Sequence, residues 1–199
     1  FSGSTRINFN DNWADDANAS SIDSSLQPKN PLESALLVTL APGAYTVIVR
    51  GANDITGLGL VEVFDLDPTV PVTLSNISTR GLVETGDSVL IGGFIIRGAD
   101  PDQVVVRAIG PSLADAPFNL TNVLQNPTLS LFDDQGSRIQ FNDDWQQDQR
   151  DAIVATGLQP GNTAESVIVR TLGPGNYTAI VNGVNGSTGI ALIEIYGLN

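Results

Sequence analysis

Two clusters of acidic and amide side chains have the clearest potential for chemistry in this sequence. They lie in the segments NDNWADD (residues 10–16) and NDDWQQD (residues 142–148), and their carboxylates belong to Asp11, Asp15, Asp16, Asp143, Asp144 and Asp148. Oxygen ligands at such close spacing suit calcium. The alternative is that Asn and Asp side chains cap their own backbone in turns, and neither cluster has the twelve-residue calcium-loop pattern. Calcium is therefore the one cofactor that the sequence leaves open.

Catalysis is disfavoured by the residue types that the sequence lacks. There is no His and no Cys, which removes Ser-His-Asp and thiolate chemistry. Gly86-Asp87-Ser88 is therefore predicted to be a hairpin turn, since its serine has no base. A two-carboxylate glycosidase needs only Asp or Glu, but the acidic residues lie in repeated turns and at one outward strand position, Glu62 and Glu194. We predict that the chain is not an enzyme.

The charge and the composition limit the classes of partner and the cellular location that we expect for this chain. The formal net charge is −13, from 22 acidic and 9 basic residues. This charge repels phosphate backbones, and no apolar run is long enough to span a bilayer as a helix, so neither nucleic-acid binding nor membrane insertion is expected. The sequence has no Met and is rich in Asn, Thr, Ser and Gly. We expect an extracellular or cell-surface protein from which a leader has been removed.

An internal repeat organises the chain and contains both acidic clusters. RINFNDNW returns as RIQFNDDW, LAPGAYTVIVRG as LGPGNYTAIVNG, and TGLGLVEVFDL as TGIALIEIYGL. Each pair is separated by 132 residues, so residues 5–66 align without a gap on residues 137–198, with about 28 of the 62 positions identical. Chance similarity does not produce such a match, so we interpret the two stretches as copies of one structural unit.

The repeated unit is predicted to consist of β-strands. Pro42-Gly43 and Pro174-Gly175 suit type II turns, and a β-branched, aromatic run follows each of them. Helical periodicity is weak throughout the chain, and strands recur at short, regular spacing. The sequence therefore predicts an all-β fold built of antiparallel β-sandwich modules, immunoglobulin-like or jelly-roll-like.

The two copies differ in completeness, which sets the predicted domains. A complete sandwich is expected over residues 68–199; it begins with a Pro-rich connector (68–75), continues with a middle segment (76–125) and ends with copy two (126–199). A truncated β module is expected over residues 1–67. Its first residue, Phe1, aligns with Asp133, just after the place where the strand TLSLF would lie. Copy one is therefore predicted to lack a strand.

Copy one also carries an additional apolar strand face. In ESVIVRTL, alternation predicts that Arg170 points outward, whereas Val38 replaces it in ESALLVTL. Strands that are apolar on both faces are covered on both faces. The cover is either the chain's own middle segment or another subunit. We predict an assembly interface that contains Phe1, Ile7, Phe9, Leu36, Val38 and Leu40.

Several of these motifs together carry a family resemblance. The run LSNISTRGLVETGDSVLIGGFIIRG, followed by VVVRAIGPSL, NPTLSLFDDQG and IALIEIYGL, resembles a tandem repeat of large secreted bacterial proteins. The second half, with its acidic turn, FNDDW segment and Pro-Gly-Tyr strand, is similar to bacterial pre-peptidase C-terminal domains. The resemblance implies export and a β-sandwich, and it implies no activity.

These observations support two functional hypotheses. The first is a structural subunit of a filament, pilus-like fibre or surface layer, whose partner is itself and which polymerises through β-strand complementation or apolar strand-face contacts. The second is a binding or spacer module of a larger secreted protein, carbohydrate-binding or adhesin-like, with glycans as partners. The aromatic residues occupy repeated positions, which favours a core role over a glycan platform.

Overall fold

The computed structural model describes residues 1–66 and 75–198 of the chain. The chain divides into two compact units, Phe1–Val72 and Thr73–Asn199. We call residues 1–66 the N-terminal segment and residues 75–198 the C-terminal module. Except for its last residue, the predicted connector 68–75 lies outside the described residues. No helix in the described ranges is long and apolar enough to cross a membrane.

The C-terminal module is an antiparallel sandwich of two four-stranded sheets, so the all-β prediction is confirmed. Its strands are β1 (Asn76–Val83), β2 (Leu90–Ile96), β3 (Asp102–Ile109), β4 (Pro127–Phe132), β5 (Arg138–Asn142), β6 (Ser166–Leu172), β7 (Gly175–Gly183) and β8 (Gly189–Gly197). One sheet has the order β1-β8-β3-β6 and the other has the order β2-β7-β4-β5. Eight strands folded over in this way, with the first beside the last, form a jelly roll.

Each ladder of this module, as far as it is described, joins one of β1–β4 to one of β5–β8. β1 pairs with β8, β2 with β7, β3 with both β6 and β8, and β4 with both β5 and β7. We call β1–β4 the first half and β5–β8 the second half. The second half lies within the aligned stretch 137–198 of the repeat, so this stretch takes all of its described strand pairing from residues 76–132.

The main core lies between the sheets and is filled by both halves. Leu129 and Leu131 of the first half pack in one cluster with Ile168 and Ile193 of the second half, and all four are buried. Gly92 on β2 allows this packing, because a Cβ there would lie only 2.9 Å from the Cδ1 of Ile193. The main core is therefore shared between the two halves.

Strand β6 is covered on both faces, which corrects one expectation. Ile168 and Leu172 belong to the main core, whereas Val167 and Val169 pack on the other face with Trp145 and with the helix α1 (Arg150–Thr156). Arg170 shares the face of Ile168 and Leu172, since side chains two residues apart point the same way. Its Nη1 donates to the carbonyl of Ile139 at 2.8 Å and to Oε1 of Gln140 at 3.1 Å. The prediction that Arg170 points outward is wrong.

The N-terminal segment forms no strand, although its sequence copies the second half. Its regular elements are three 3₁₀ turns, Trp13–Asp15, Ala19–Ser21 and Ala52–Asp54, and one isolated bridge between Ser2 and Thr5. Residues 1–66 therefore contain no regular strand, and the division into modules 1–67 and 68–199 stays a prediction. The pairing of the C-terminal module gives the physical reason, because second-half strands bond only to first-half strands there.

Phe1 is placed differently from its sequence alignment. Its amino group donates to the carbonyl of Thr46 at 2.8 Å, and the amide of Thr46 donates to the carbonyl of Phe1 at 3.0 Å. In the C-terminal module, Thr178, the counterpart of Thr46, is paired with Phe132. Phe1 thus corresponds to Phe132, the last residue of β4, and not to Asp133. The turn that follows is one residue shorter in copy one.

Candidate association surface

Several acidic side chains of the two clusters make local hydrogen bonds, and calcium binding stays a prediction. Within the described ranges no three Asp or Glu side chains are grouped so that they could hold a metal ion. Asp15 accepts a hydrogen bond from the side chain of Asn12 at 3.2 Å, and Asp16 accepts one from the amide of Asn18 at 2.8 Å. Asp144 accepts one from the side chain of Gln147. These are local turn contacts, the alternative interpretation of the clusters.

Asp143 differs from the other cluster residues because one of its oxygens is buried. Its Oδ1 has no hydrogen-bond partner among the described residues. Burial is the main cause that raises the pKa of this carboxyl above its usual value, and the neighbouring charge of Asp144 raises it further. Asp148, by contrast, is exposed. The cluster thus contains a carboxylate in an unfavourable position rather than a set of converging ligands.

The N-terminal segment reproduces the local hydrogen bonds of the second half. The amide of Trp13 donates to the carbonyl of Glu33 at 2.8 Å, as that of Trp145 does to Glu165 at 2.9 Å. The same correspondence relates the side-chain hydrogen bonds of Asn10 and Asn142, the hydroxyl hydrogen bonds of Tyr45 and Tyr177, and the positive φ angles of Asn53 and Asn185. Several contacts that need only the copy itself are therefore present in both copies.

The apolar face that copy two buries is exposed in copy one. In the N-terminal segment this face consists of Leu36, Leu40, Val47, Val49, Val61 and Val63, which are 42–62% exposed. Their counterparts in the C-terminal module are Ile168, Leu172, Ala179, Val181, Ile193 and Ile195, which are at most 7% exposed. Burial of one large aliphatic side chain stabilises by about 1.5–3 kcal/mol. We call the six residues of the N-terminal segment the open face.

Two glutamates beside these strands mark polar contacts that cross between the halves. Glu165 is fully buried. Its Oε1 accepts hydrogen bonds from the amides of Gly110 and Ser112 at 3.0 and 2.9 Å, and its Oε2 accepts one from the Ser112 hydroxyl at 2.8 Å. Both donor residues lie directly after β3, so these hydrogen bonds join the second half to the first half. Its counterpart Glu33 keeps only the local bond, from the amide of Asn30 at 3.3 Å.

The second glutamate contact is an ion pair. Glu194 on β8 accepts hydrogen bonds from the guanidinium of Arg107 on β3, and that guanidinium also donates to the carbonyl of Leu158 at 2.8 Å. Glu194 lies on the sheet face opposite to the core, as alternation predicts, but it is buried rather than solvated. Its counterpart Glu62 is exposed. The sequence analysis interprets Glu62 and Glu194 as an outward, charged position, whereas Glu33 and Glu165 carry the same signal, identity between the copies, and were missed.

The predicted interface residues are only partly brought together. Leu36 and Leu40 lie on the open face, and Ile7 is the counterpart of Ile139, which packs against the main core. Phe9 is the counterpart of Phe141, which is itself exposed in the C-terminal module. Phe9 therefore lies outside the surface that the repeat defines. That these residues form an interface stays a prediction.

The two tryptophans are not equivalent in their burial. Trp145 is buried, and its Nε1 donates to the carbonyl of Asn162 at 3.1 Å. Trp13 is half-buried, and its Nε1 has no hydrogen-bond partner among the described residues. Neither indole is presented to solvent as a flat platform.

Comparisons with known proteins add little beyond the fold. No family model matches the chain, and none of the curated proteins matches it. Among solved structures, the chain is similar to the pre-peptidase C-terminal domain of a collagenase from Bacillus anthracis, at 12% identity and a TM-score of 0.37. The match covers 60% of this chain and 88% of the other. A likeness at this level carries no conclusion about ligands, activity or assembly.

Proposed function

We propose that this chain is a non-catalytic structural component of an extracellular assembly and that the N-terminal segment joins it to a neighbour. The assembly is a filament, a pilus-like fibre or a surface layer, outside the cell or at its surface. One observation carries the proposal: residues 1–66 expose the aliphatic face that the same sequence pattern buries in the C-terminal module. Contiguous exposed apolar surface of this kind marks interaction sites.

The proposal that the chain is non-catalytic is supported by the residue types that its sequence lacks. The sequence has no His and no Cys. Asp15, Asp16 and Asp144 accept hydrogen bonds from side chains or amides two or three residues away. Strand addition from a neighbour is a common way to cover unpaired backbone and an apolar face together.

The proposal is tested by the state of the purified chain. Negative-stain electron microscopy and sedimentation velocity should show polymers. Val38→Asp, beside the open face, should abolish them. Val154→Asp on α1 is the matched control, because both valines are 43% exposed, and it should leave assembly unchanged. A chain that stays monomeric at all concentrations, or that assembles equally well with Val38→Asp, overturns the proposal.

A second candidate is favoured by the number of strands. Residues 76–132 supply one first half, whereas residues 1–66 and 133–198 both match a second half. An intact copy could complete the N-terminal segment only by releasing its own residues 133–198, which gains nothing. Polymers of the purified chain would therefore have to form through apolar contacts between open faces rather than through strand complementation. Complementation by a neighbouring unit with a free β1–β4 segment favours instead a spacer module of a larger secreted protein. Its carbohydrate-binding form has the weakest support, because both indoles are at least half-covered.

A further inference from the structure

We propose that the open face is the docking surface for one kind of partner, a four-stranded segment of the β1–β4 type supplied by a neighbouring unit of the same repeat. This inference rests on the second candidate above, the spacer module of a larger secreted protein, because in an intact copy β1–β4 are already paired with β5–β8. The partner's segment must not already be paired with a second half of its own. Docking would complete a second jelly roll around residues 1–66.

The first support is that both sheets of the C-terminal module alternate strictly between halves. The segments 6–10, 34–40, 43–51 and 57–65 are the counterparts of β5–β8 at an offset of 132 residues. In both sheet orders each second-half strand lies beside a first-half strand. Apart from Phe1, no part of the chain that the structure describes pairs with these segments as a first-half strand would, and a β1–β4 segment supplies all of the missing partners at once.

The second support is that one residue of the N-terminal segment already makes the required contact. Phe1 and Thr46 exchange two backbone hydrogen bonds, and Phe132 and Thr178 are the corresponding pair in the C-terminal module. Phe1 thus occupies the place of the last β4 residue. It fixes the register in which the rest of a β4-type strand would continue along residues 43–51.

The third support is polar complementarity. Glu33 and Glu62 are the counterparts of Glu165 and Glu194, which bind the amides after β3 and the guanidinium of Arg107. A docking segment is therefore expected to bring two amide donors to Glu33 and a guanidinium to Glu62. Such pairs select a partner as well as stabilise it. An apolar strand without these donors would leave Glu33 desolvated and unpaired.

The experiment supplies the partner covalently to the full chain. Residues 75–131 are fused directly before Phe1, so that Phe1 takes the position of Phe132, and hydrogen exchange is followed by mass spectrometry. Amide exchange in residues 34–51 and 57–65 should slow by about a hundredfold or more relative to the parent chain. The matched control is the same fusion with Leu129→Asp and Leu131→Asp in the added segment, which should give no protection.

A second variant reports the specific contact. Arg107→Ala in the added segment should reduce the protection of residues 57–65 by about tenfold, and Glu62→Gln should cause the same loss without adding to it. Asp54→Asn, an exposed acid outside the predicted contact, should have no effect. The inference is overturned if residues 1–66 stay unprotected in the fusion without substitutions. It is also overturned if the control fusion with Leu129→Asp and Leu131→Asp gives equal protection. Protection in the fusion with a parent chain that never assembles would overturn only the proposal of a polymerising structural subunit.

Discussion

The N-terminal segment and the second half of the C-terminal module have nearly the same residue pattern but not the same structure. Local contacts, such as the amide of Trp13 or Trp145 with the carbonyl of its glutamate, are present in both. In the described residues, strands and a buried core are present only where residues 76–132 provide pairing strands. The comparison teaches that a strand-forming sequence becomes a strand when its hydrogen bonds and its apolar face both find a partner.

The largest expected difference between the two regions is in the core. Ile168→Ala should destabilise the C-terminal module by about 2–5 kcal/mol, because it leaves a cavity at a fully buried position. Leu36→Ala, at the equivalent but exposed position, should change the free energy of unfolding by about 0.5 kcal/mol or less. Urea denaturation followed by tryptophan fluorescence measures both. Equal costs at the two positions would contradict the comparison.

A smaller difference is expected at the buried carboxylates. Glu165→Gln should cost about 1.5–3 kcal/mol, since the amide group cannot accept all of the donors that Glu165 binds. Glu33→Gln should have little effect on the isolated chain, because Glu33 accepts a single local bond. In the fusion described above, Glu33→Gln should become destabilising. The measurement is thermal unfolding, under one condition, of the parent chain, its two variants, the fusion and the fusion with Glu33→Gln.

The tyrosine pair provides a still smaller test. Tyr177 donates to the carbonyl of Gly173 at 2.9 Å and stacks on Phe94 at 5.4 Å, whereas Tyr45 makes only the corresponding hydrogen bond, to Ala41 at 2.8 Å. Tyr177→Phe should cost about 1 kcal/mol, the usual net value of one hydrogen bond. Tyr45→Phe should leave the unfolding midpoint unchanged. A clear loss with Tyr45→Phe would show that residues 41–45 are held by more than local contacts.

The smallest expected effect concerns pH. Burial raises the pKa of Asp143, so the folded state binds its proton more tightly than the unfolded state. The resulting penalty is absent at pH below the usual Asp pKa and is fully present once pH has risen above the raised value. Asp143→Asn should therefore stabilise the C-terminal module at pH 7 and lose this advantage on acidification. Thermal unfolding of both proteins between pH 3 and pH 7 checks the sign.

The sequence by itself predicted the all-β class, the sandwich and the repeat. Turn signals such as Pro174-Gly175 and β-branched runs such as YTAIV are local, and period-2 alternation indicates which side chains share a face. Alternation could not indicate which face meets the core. Arg170 lies on the core side of β6 because that strand is at the edge of its sheet, where a long side chain can reach the carbonyl of Ile139.

Only the tertiary structure decided which half pairs with which. The repeat in the sequence shows that residues 5–66 and 137–198 are alike. It does not show that the strands of one copy need partners from outside that copy. In the jelly roll, each half supplies hydrogen-bond partners and half of the core to the other, and both contributions join residues far apart in sequence. The sequence therefore determined how residues 1–66 are disposed to fold, and the pairing of β1–β4 with β5–β8 decided that they remain open.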